Sequence, residues 1–149
     1  MGIIDLASRA SSCRGLEYYK TNKVAKIVKI NDNEYKSNVS GSKKYEVYLN
    51  IEHARKSTCN CPLADGKRII CKHIVATYFK AFPNDAERFE RIQIEAEEEY
   101  EKEQEEIYDK IINCLYKMKK DELINEIIDI FSRSPEWVLE DFLRRNYND

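Results

Sequence analysis

The chain has 149 residues, of which 42% are hydrophobic and 35% are charged, and its formal net charge is −2. This composition is typical of a soluble globular protein of one domain with at most an appendage. No run of about 18 apolar residues is present to span a bilayer, and the first residues lack the basic flank and long apolar run of a secretory signal. We therefore expect a cytoplasmic protein.

The charge is unevenly distributed along the chain. Residues 1–83 contain 15 Lys and Arg against 7 Asp and Glu, a net charge of +8, whereas residues 84–149 contain 10 against 20, a net charge of −10. Two regions of opposite charge indicate two different kinds of surface. We accordingly predict a basic domain at residues 1–83 and an acidic helical region at residues 84–149.

The basic half is predicted to begin with a short helix at residues 3–12 and to continue with strands. Three segments rich in β-branched and aromatic side chains follow, separated by the turn residues 31–33 and 40–42. These segments are residues 24–30, 34–39 and 45–51. Apolar and polar side chains alternate in the last of them, as in a strand with one buried face. The simplest arrangement is an antiparallel three-stranded meander.

A helix is predicted at the end of the basic half. Residues 74–82 place five apolar side chains, Ile74, Val75, Tyr78, Phe79 and Phe82, on one helical face. Pro83 should end this helix, and Asn84 should cap a new helix that starts near Asp85.

The acidic half is predicted to be helical throughout. Eight of the twelve residues from Glu95 to Glu106 are Glu, which indicates either a solvated helix face or a mimic of nucleic-acid charge. Apolar residues recur at helical spacing in 107–115 and 123–131, and Ser134-Pro135 should begin a last helix as N-cap and first turn. The predicted fold class is therefore α+β, a small sheet followed by a long acidic helix and a C-terminal helical bundle.

The most informative segment is a cluster of cysteines. It reads Cys59-Asn60-Cys61 and, after nine residues that include the turn Asp65-Gly66, Cys71-Lys72-His73. One intervening residue lets both side chains of a pair turn onto one metal ion, whose sulfur ligands lie about 3.7 Å apart. Three thiolates and an imidazole form a complete tetrahedral set for Zn²⁺, without the open position that a catalytic zinc keeps. We predict one structural zinc ion bound by Cys59, Cys61, Cys71 and His73.

Other interpretations of these residues are an iron–sulfur cluster or ordinary buried cysteines beside an unrelated histidine. Two paired spacings together favour zinc. The isolated cysteines, Cys13 and Cys114, are predicted to be small core residues. His53 is predicted to be a surface side chain.

The cysteine cluster resembles the SWIM zinc finger family, whose signature is C-x-C, a variable loop and C-x-H. Upstream, residues 14–19, 24, 39–42 and 45–47 are similar to the strand portion that precedes the finger. Downstream, residues 71–76 are similar to its closing helix, so the resemblance covers residues 14–82. Asn22 stands where family members often have glycine, and asparagine is the next most tolerant residue of a positive φ.

The resemblance implies a zinc-stapled ββα fold that binds DNA or proteins. Such fingers are found beside Swi/Snf-type helicases, in Mutator-like transposases and in stand-alone bacterial proteins, and this chain resembles the stand-alone kind. The sequence has no G-x-x-x-x-G-K-[ST] phosphate loop. The resemblance therefore implies that a helicase or another DNA-processing protein is a separate partner.

Two functions fit these features. The first is DNA binding as an accessory subunit of a DNA-processing complex, through the basic residues that flank the finger. The alternative for these residues is a basic face that is merely solvated. The second is a protein-interaction adaptor that uses the acidic half, with Tyr108, Tyr116 and Trp137 as aromatic anchors. The predicted nucleic-acid contacts are Lys43, Lys44, Arg55, Lys56, Lys67, Arg68 and Lys72.

Enzymatic activity is not expected. With His73 committed to the metal, only His53 remains for acid–base chemistry, and no serine or cysteine is placed as its evident partner. No small-molecule substrate is indicated.

Overall fold

Six α-helices and one four-stranded antiparallel sheet make up the part of the chain that the computed structural model describes, residues 2–147. The predicted α+β class is confirmed, with one strand more than the predicted three. The helices are α1 (Ile3–Leu6), α2 (Arg9–Lys20), α3 (Lys72–Ala81), α4 (Pro83–Leu115), α5 (Lys120–Arg133) and α6 (Glu136–Asn146). The strands are β1 (Val28–Asn31), β2 (Glu34–Ser40), β3 (Lys44–Asn50) and β4 (Thr58–Cys59), and a 3-10 turn covers Ala54–Lys56.

The chain forms two compact units, Met1–Glu95 and Ala96–Asp149. The first contains the sheet and the helices that pack on it, and the second contains the end of α4 with α5 and α6. The predicted domain boundary at residues 83/84 stays a prediction.

The sheet is built around the hairpin of β2 and β3 in the order β1-β2-β3-β4. These two strands pair over their whole length, and β4 pairs with β3 at Val47↔Cys59 and Tyr48↔Thr58. The period of two predicted for residues 45–51 holds as far as Leu49, because Tyr45, Val47 and Leu49 are buried while Glu46 is exposed. It ends at Asn50, which was predicted to be exposed and is buried. The additional strand, β4, has only two residues, and an alternating pattern cannot be recognised in so short a segment.

The first strand is shorter than predicted. Residues 24–30 were expected to be continuous, but β1 begins at Val28 and Val24 forms only an isolated bridge to Val39. The backbone N–H of Ala25 still donates to the carbonyl of Asn38 (2.8 Å), so the segment follows the sheet without continuous pairing.

Helix α3 forms the centre of the first unit. Ile74, Val75, Ala76 and Phe79 are all fully buried, because the sheet covers one side of the helix and α2 covers another. The approach of α2 is close. A Cβ added to Gly15 would lie 2.5 Å from Cγ1 of Val75, so only glycine fits at this crossing.

The segment 14–19 is helical, which corrects the strand expected there from the resemblance. It lies inside α2, which Ser8 caps by accepting a hydrogen bond from the Ser11 backbone N–H. Just beyond the helix, Asn22 has φ 52°, which agrees with the expected tolerance of this residue for positive φ. The Lys23 N–H then donates to the Tyr18 carbonyl (2.9 Å), which closes the last turn.

Two helix starts differ from the predictions. Pro83 is the first residue of α4, so Asn84 lies within the first turn and is not its cap. Proline is suited to this position because its missing N–H would have no helical partner there. Ser134 does not cap α6, because its hydroxyl donates to the Ile130 carbonyl at the end of α5 (2.9 Å).

The isolated cysteines were predicted to be in the core, and both are exposed. Cys13 lies on α2 near Gln93, with its Sγ 3.8 Å from Oε1 of that residue. Cys114 lies near the end of α4, in the second unit, where none of the described residues is buried. His53 is exposed, as predicted.

The second unit is helical as predicted, but its helices pack sparsely. Neither α5 nor α6 buries any residue, and they contact each other through the rings of Phe131 and Phe142, whose centroids are 4.8 Å apart. The glutamates of residues 95–106 are exposed. None of the helices in residues 2–147 is both long enough and apolar enough to cross a membrane.

A candidate metal centre and the basic groove beside it

The structure brings Cys59, Cys61, Cys71 and His73 together. Their ligand atoms all lie within 4.8 Å of one another, and all four residues are buried, none more than 4% exposed. The Nδ1 atom of His73 lies 3.6 Å from Sγ of Cys59 and 3.9 Å from Sγ of Cys71. Around a tetrahedral zinc ion, bond lengths of about 2.3 Å to sulfur and 2.0 Å to nitrogen give a sulfur–nitrogen separation of about 3.5 Å. The four donors therefore fit one zinc ion after small adjustments.

The first ligand pair is held by the edge of the sheet. Cys59 ends β4 and is paired with Val47 of β3. Asn60 extends this pairing, because its side-chain Oδ1 accepts the Glu46 backbone N–H (2.9 Å). The turn that follows is tied back to the pair, since the Asp65 N–H donates to the Cys61 carbonyl (2.9 Å). The C-x-C segment is thus ordered by backbone pairing on both sides.

The second ligand pair belongs to the start of α3. Cys71 is the N-cap residue of this helix, and His73 lies in its first turn. Thr77, one turn later, donates from its hydroxyl to the His73 carbonyl (3.0 Å) and hydrogen-bonds to Ser37 Oγ of β2 (2.7 Å). The loop between the two pairs turns at Gly66, which has φ 66° as the predicted Asp65-Gly66 turn requires.

One thiol of the site is arranged to lose its proton, at the expense of its neighbour. The pKa of Cys71 is lowered to about 4 because Cys59 donates a hydrogen bond to its sulfur, with further help from His73 and from backbone N–H groups at the start of α3. The pKa of Cys59 is raised, first by its hydrogen bond to Cys71 and then by burial. Two buried sulfurs that compete for one proton form an anionic pair, which a divalent cation would neutralise.

Two tyrosine rings hold the imidazole of His73. Tyr45 of β3 stacks on it, with centroids 4.5 Å apart and planes 24° apart, and Tyr18 of α2 meets it edge-on at 5.5 Å. The other ring nitrogen, Nε2, is buried and has no hydrogen-bond partner among the described residues. Metal-bound histidines usually donate this N–H to a carboxylate or carbonyl, so here the aromatic contacts provide the orientation instead.

Gly41 makes the stacking possible. It lies in the β2–β3 turn, and a Cβ there would be 2.9 Å from the Tyr45 ring and 3.4 Å from Nε2 of His73. The hydroxyl of Tyr45 is fixed by Ser42 Oγ at 2.6 Å. The hairpin turn therefore positions the ring that orients the histidine ligand.

A concave surface lies beside the metal centre, on the outer face of the sheet, and Cys59 forms part of its wall. Its volume is about 1020 Å³. Its acidic side chains are Glu46 and Asp65, and its basic side chains outnumber them by four. The basic side chains are Lys26, Lys36, Arg55, Lys56, Lys67 and Arg68. We call this surface the basic groove.

Tyr48 adds an aromatic ring to the basic groove. Its hydroxyl donates to Glu34, which lowers the pKa of that carboxyl and raises the pKa of the tyrosine. Tyr48 therefore stays neutral at physiological pH, with its orientation fixed by the hydrogen bond.

The predicted nucleic-acid contacts fall into two groups. Arg55, Lys56, Lys67 and Arg68 line the basic groove, whereas Lys43, Lys44 and Lys72 do not. The Nζ atom of Lys72 lies 4.5 Å from the centroid of Tyr18, and that of Lys43 lies 6.0 Å from the centroid of Tyr45. These two lysines therefore lie against the tyrosines that hold His73.

Three groove residues were not predicted from the sequence, namely Lys26, Lys36 and Tyr48. Lys36 and Tyr48 are outward-facing in β2 and β3, where the period of two could have identified them. Lys26 lies in the unpaired stretch before β1 and carries no such signal.

Comparison with known proteins agrees with the geometry. Residues 45–81 match the model of the SWIM zinc finger family, which spans β3, β4 and α3 together with all four ligands. The predicted family resemblance and the single structural zinc ion are thereby confirmed, although residues 14–44 and residue 82 of the predicted resemblance lie outside the match. No curated protein and no solved structure matches the chain.

Proposed function

We propose that this protein, which carries a SWIM zinc finger at residues 45–81, binds DNA through the basic groove as a non-catalytic accessory of DNA-processing proteins. The observation that carries this proposal is the clustering of six basic side chains in one concave surface beside the metal centre. Phosphate groups are held mainly by such lysine and arginine side chains.

Two of the groove residues lie in a loop whose two ends carry the metal ligands. Lys67 and Arg68 lie in the loop between the two ligand pairs, and Lys36 lies on β2, next to β3. Metal binding fixes both ends of that loop and so fixes its basic side chains relative to the sheet. Zinc would therefore contribute to binding by ordering the surface, with no contact to the nucleic acid.

Tyr48 supplies a second kind of contact. A neutral aromatic ring in a basic surface can stack on an exposed base, at a gain of about 1–3 kcal/mol per base. The ring lies among the groove cations, so phosphate and base contacts would occur together.

Fluorescence anisotropy with labelled DNA at about 50 and 200 mM salt tests the proposal. The double variant Lys67→Ala/Arg68→Ala should weaken binding by about tenfold or more and reduce the salt-dependence slope by about 2. Its matched control is Lys43→Ala/Lys44→Ala, which removes two adjacent cations outside the groove. Both pairs should retain one zinc per chain.

Two results would contradict the proposal. One is the absence of binding by the wild-type protein at about 50 mM salt. The other is an equal loss in the two double variants, because the net charge rather than the groove would then determine affinity.

The cytoplasmic location and the adaptor role remain separate proposals. The buried thiols of the metal centre suit a reducing compartment, which supports the first. The exposed apolar side chains of α5 and α6 support a protein-interaction role for the acidic half.

A further inference from the structure

The second unit exposes more large apolar side chains than the first. Among the described residues, fourteen of the twenty exposed large hydrophobic side chains lie between Tyr100 and Tyr147. Scattered exposed apolar residues are normal on a protein surface, but a concentration of this kind marks an interaction surface.

Helix α5 shows that the exposed side chains follow a helical pattern. Its six large apolar residues fall within an arc of about 160° at 100° per residue, and its polar residues other than Lys120, at the first position, lie on the other side. The apolar residues are Leu123, Ile124, Ile127, Ile128, Ile130 and Phe131. Four of them are isoleucines that are 43–60% exposed. A helix with so distinct an apolar side is expected to bury that side against another surface.

The part of the second unit that the structure describes, residues 96–147, contains no buried residue that could form a core for that side. Helices α5 and α6 bury none of their residues. Near the end of α4, Ile107 and Ile111 are about half exposed as well. Three short amphipathic segments without a shared interior are not expected to be stable alone, so a further surface must cover them.

The area available agrees with a dimer interface. About ten large apolar side chains of this unit are close to half exposed, and at roughly 80 Å² each they present on the order of 800 Å². One partner in a stable protein interface contributes a similar area, about 800 Å². A second copy brings the same area from the same residues.

The charges also favour an identical partner. Residues 107–147 contain 7 Lys and Arg against 8 Asp and Glu, a net charge of −1. The preceding segment 95–106 contains eight Glu and one Lys, a net charge of −7. The apolar residues therefore lie where two copies would meet without net repulsion and where a strongly charged partner gains little.

We propose that the chain forms a homodimer in which the apolar sides of α4, α5 and α6, residues 107–147, are buried against those of a second copy. A two-fold interface uses the same surface on both partners, so each helix meets its own equivalent or a neighbour of it. This proposal does not depend on nucleic-acid binding.

The molar mass of the full-length zinc-loaded protein tests the dimer. Light scattering after gel filtration should give twice the chain mass of 17.6 kDa. The variant Ile124→Asp/Ile128→Asp should halve the mass, because two carboxylates would enter the interface. The control variant Asn125→Asp/Ser132→Asp adds the same charges to the polar side of α5 and should remain a dimer.

Zinc content and circular dichroism distinguish dissociation from general unfolding. Both variants should keep one zinc per chain, because the ligands lie in the unit Met1–Glu95, which has its own core. For the wild-type protein, helix content should fall on dilution as the dimer dissociates. A monomeric wild type, a dimeric isoleucine variant or a monomeric control variant would each overturn the proposal.

Discussion

The two units of this protein place their apolar residues in opposite ways. In Met1–Glu95, one short helix is buried on nearly all sides and four ligands meet beneath the surface. In Ala96–Asp149, longer amphipathic helices leave their isoleucines about half exposed. The same helical spacing of apolar residues occurs in α3 and α5, so periodicity alone does not determine what a helix packs against. The difference lies in the sheet and the metal ligands, which within residues 2–147 belong to the first unit alone.

Substitution of a zinc ligand should have the largest effect, because it should destabilise the first unit and leave the second unchanged. Cys59→Ala or His73→Ala should abolish zinc binding and unfold the first unit, because structural zinc contributes an apparent 10–16 kcal/mol in zinc fingers. Metal analysis and the loss of the cooperative thermal transition would measure this. Cys13→Ala, at an exposed cysteine away from the site, should keep both. A Cys59→Ala protein with full thermal stability and no metal would contradict the structural role.

Truncation of a core side chain in the first unit should have the second-largest effect on stability. Phe79 is fully buried and contacts the rings of Tyr19, Tyr78 and Phe89. Phe79→Ala should lower the free energy of unfolding of the first unit by about 3–5 kcal/mol. In urea titrations that follow this unit, Phe142→Ala should have little effect, since Phe142 belongs to the other unit. Equal losses would show that the two units unfold as one.

Addition of a methyl group at the crossing of α2 and α3 should lower the free energy of unfolding by less than the core truncation. Gly15→Ala places a carbon 2.5 Å from Val75, so one helix must move, and we expect a loss of about 1–3 kcal/mol. The control is Gly2→Ala, where the nearest atom, Oδ2 of Asp5, is 3.6 Å away. Thermal denaturation of both variants provides the measurement. An unchanged melting temperature for Gly15→Ala would mean that α2 is not held against α3.

The smallest expected effect concerns a buried hydrogen bond. Thr77 links the His73 carbonyl to Ser37, and Thr77→Val should leave the Ser37 hydroxyl without its partner, at a cost of roughly 1–2 kcal/mol. Adding Ser37→Ala should recover part of that loss, because the unpaired hydroxyl is then removed. Chemical denaturation of the two variants gives the comparison, and additive losses would argue against coupling between the two hydroxyls.

Most of the features that were predicted correctly from the sequence depend on the spacing of residues close together in the chain. The pairs Cys59/Cys61 and Cys71/His73 identified the metal centre because each pair is separated by one residue and chemistry restricts the ligands. The alternation in β3 and the tolerance of Asn22 for positive φ were equally local. These features need no knowledge of the distant chain.

What the sequence did not predict depends on tertiary contacts. The two-residue strand β4 exists only through pairing with β3, and residues 14–19 are helical because Ser8 caps α2 and Val75 packs against Gly15. The basic side chains of the groove come from four separate segments, so nearness to the finger along the chain selected Lys43, Lys44 and Lys72 but missed Lys26 and Lys36. The exposure of Cys13 and Cys114 likewise follows from which helix faces are covered.

The edge-on contact of Tyr18 with His73 has a practical consequence for protein engineering. Tyr18 lies on α2, outside the matched segment 45–81. A peptide trimmed to that segment would retain every donor atom, yet its histidine ring would face water on the Tyr18 side and Val75 would lose its cover. Transplanting the finger into another scaffold should therefore include the preceding helix, and the smallest portable fragment should be Met1–Glu95.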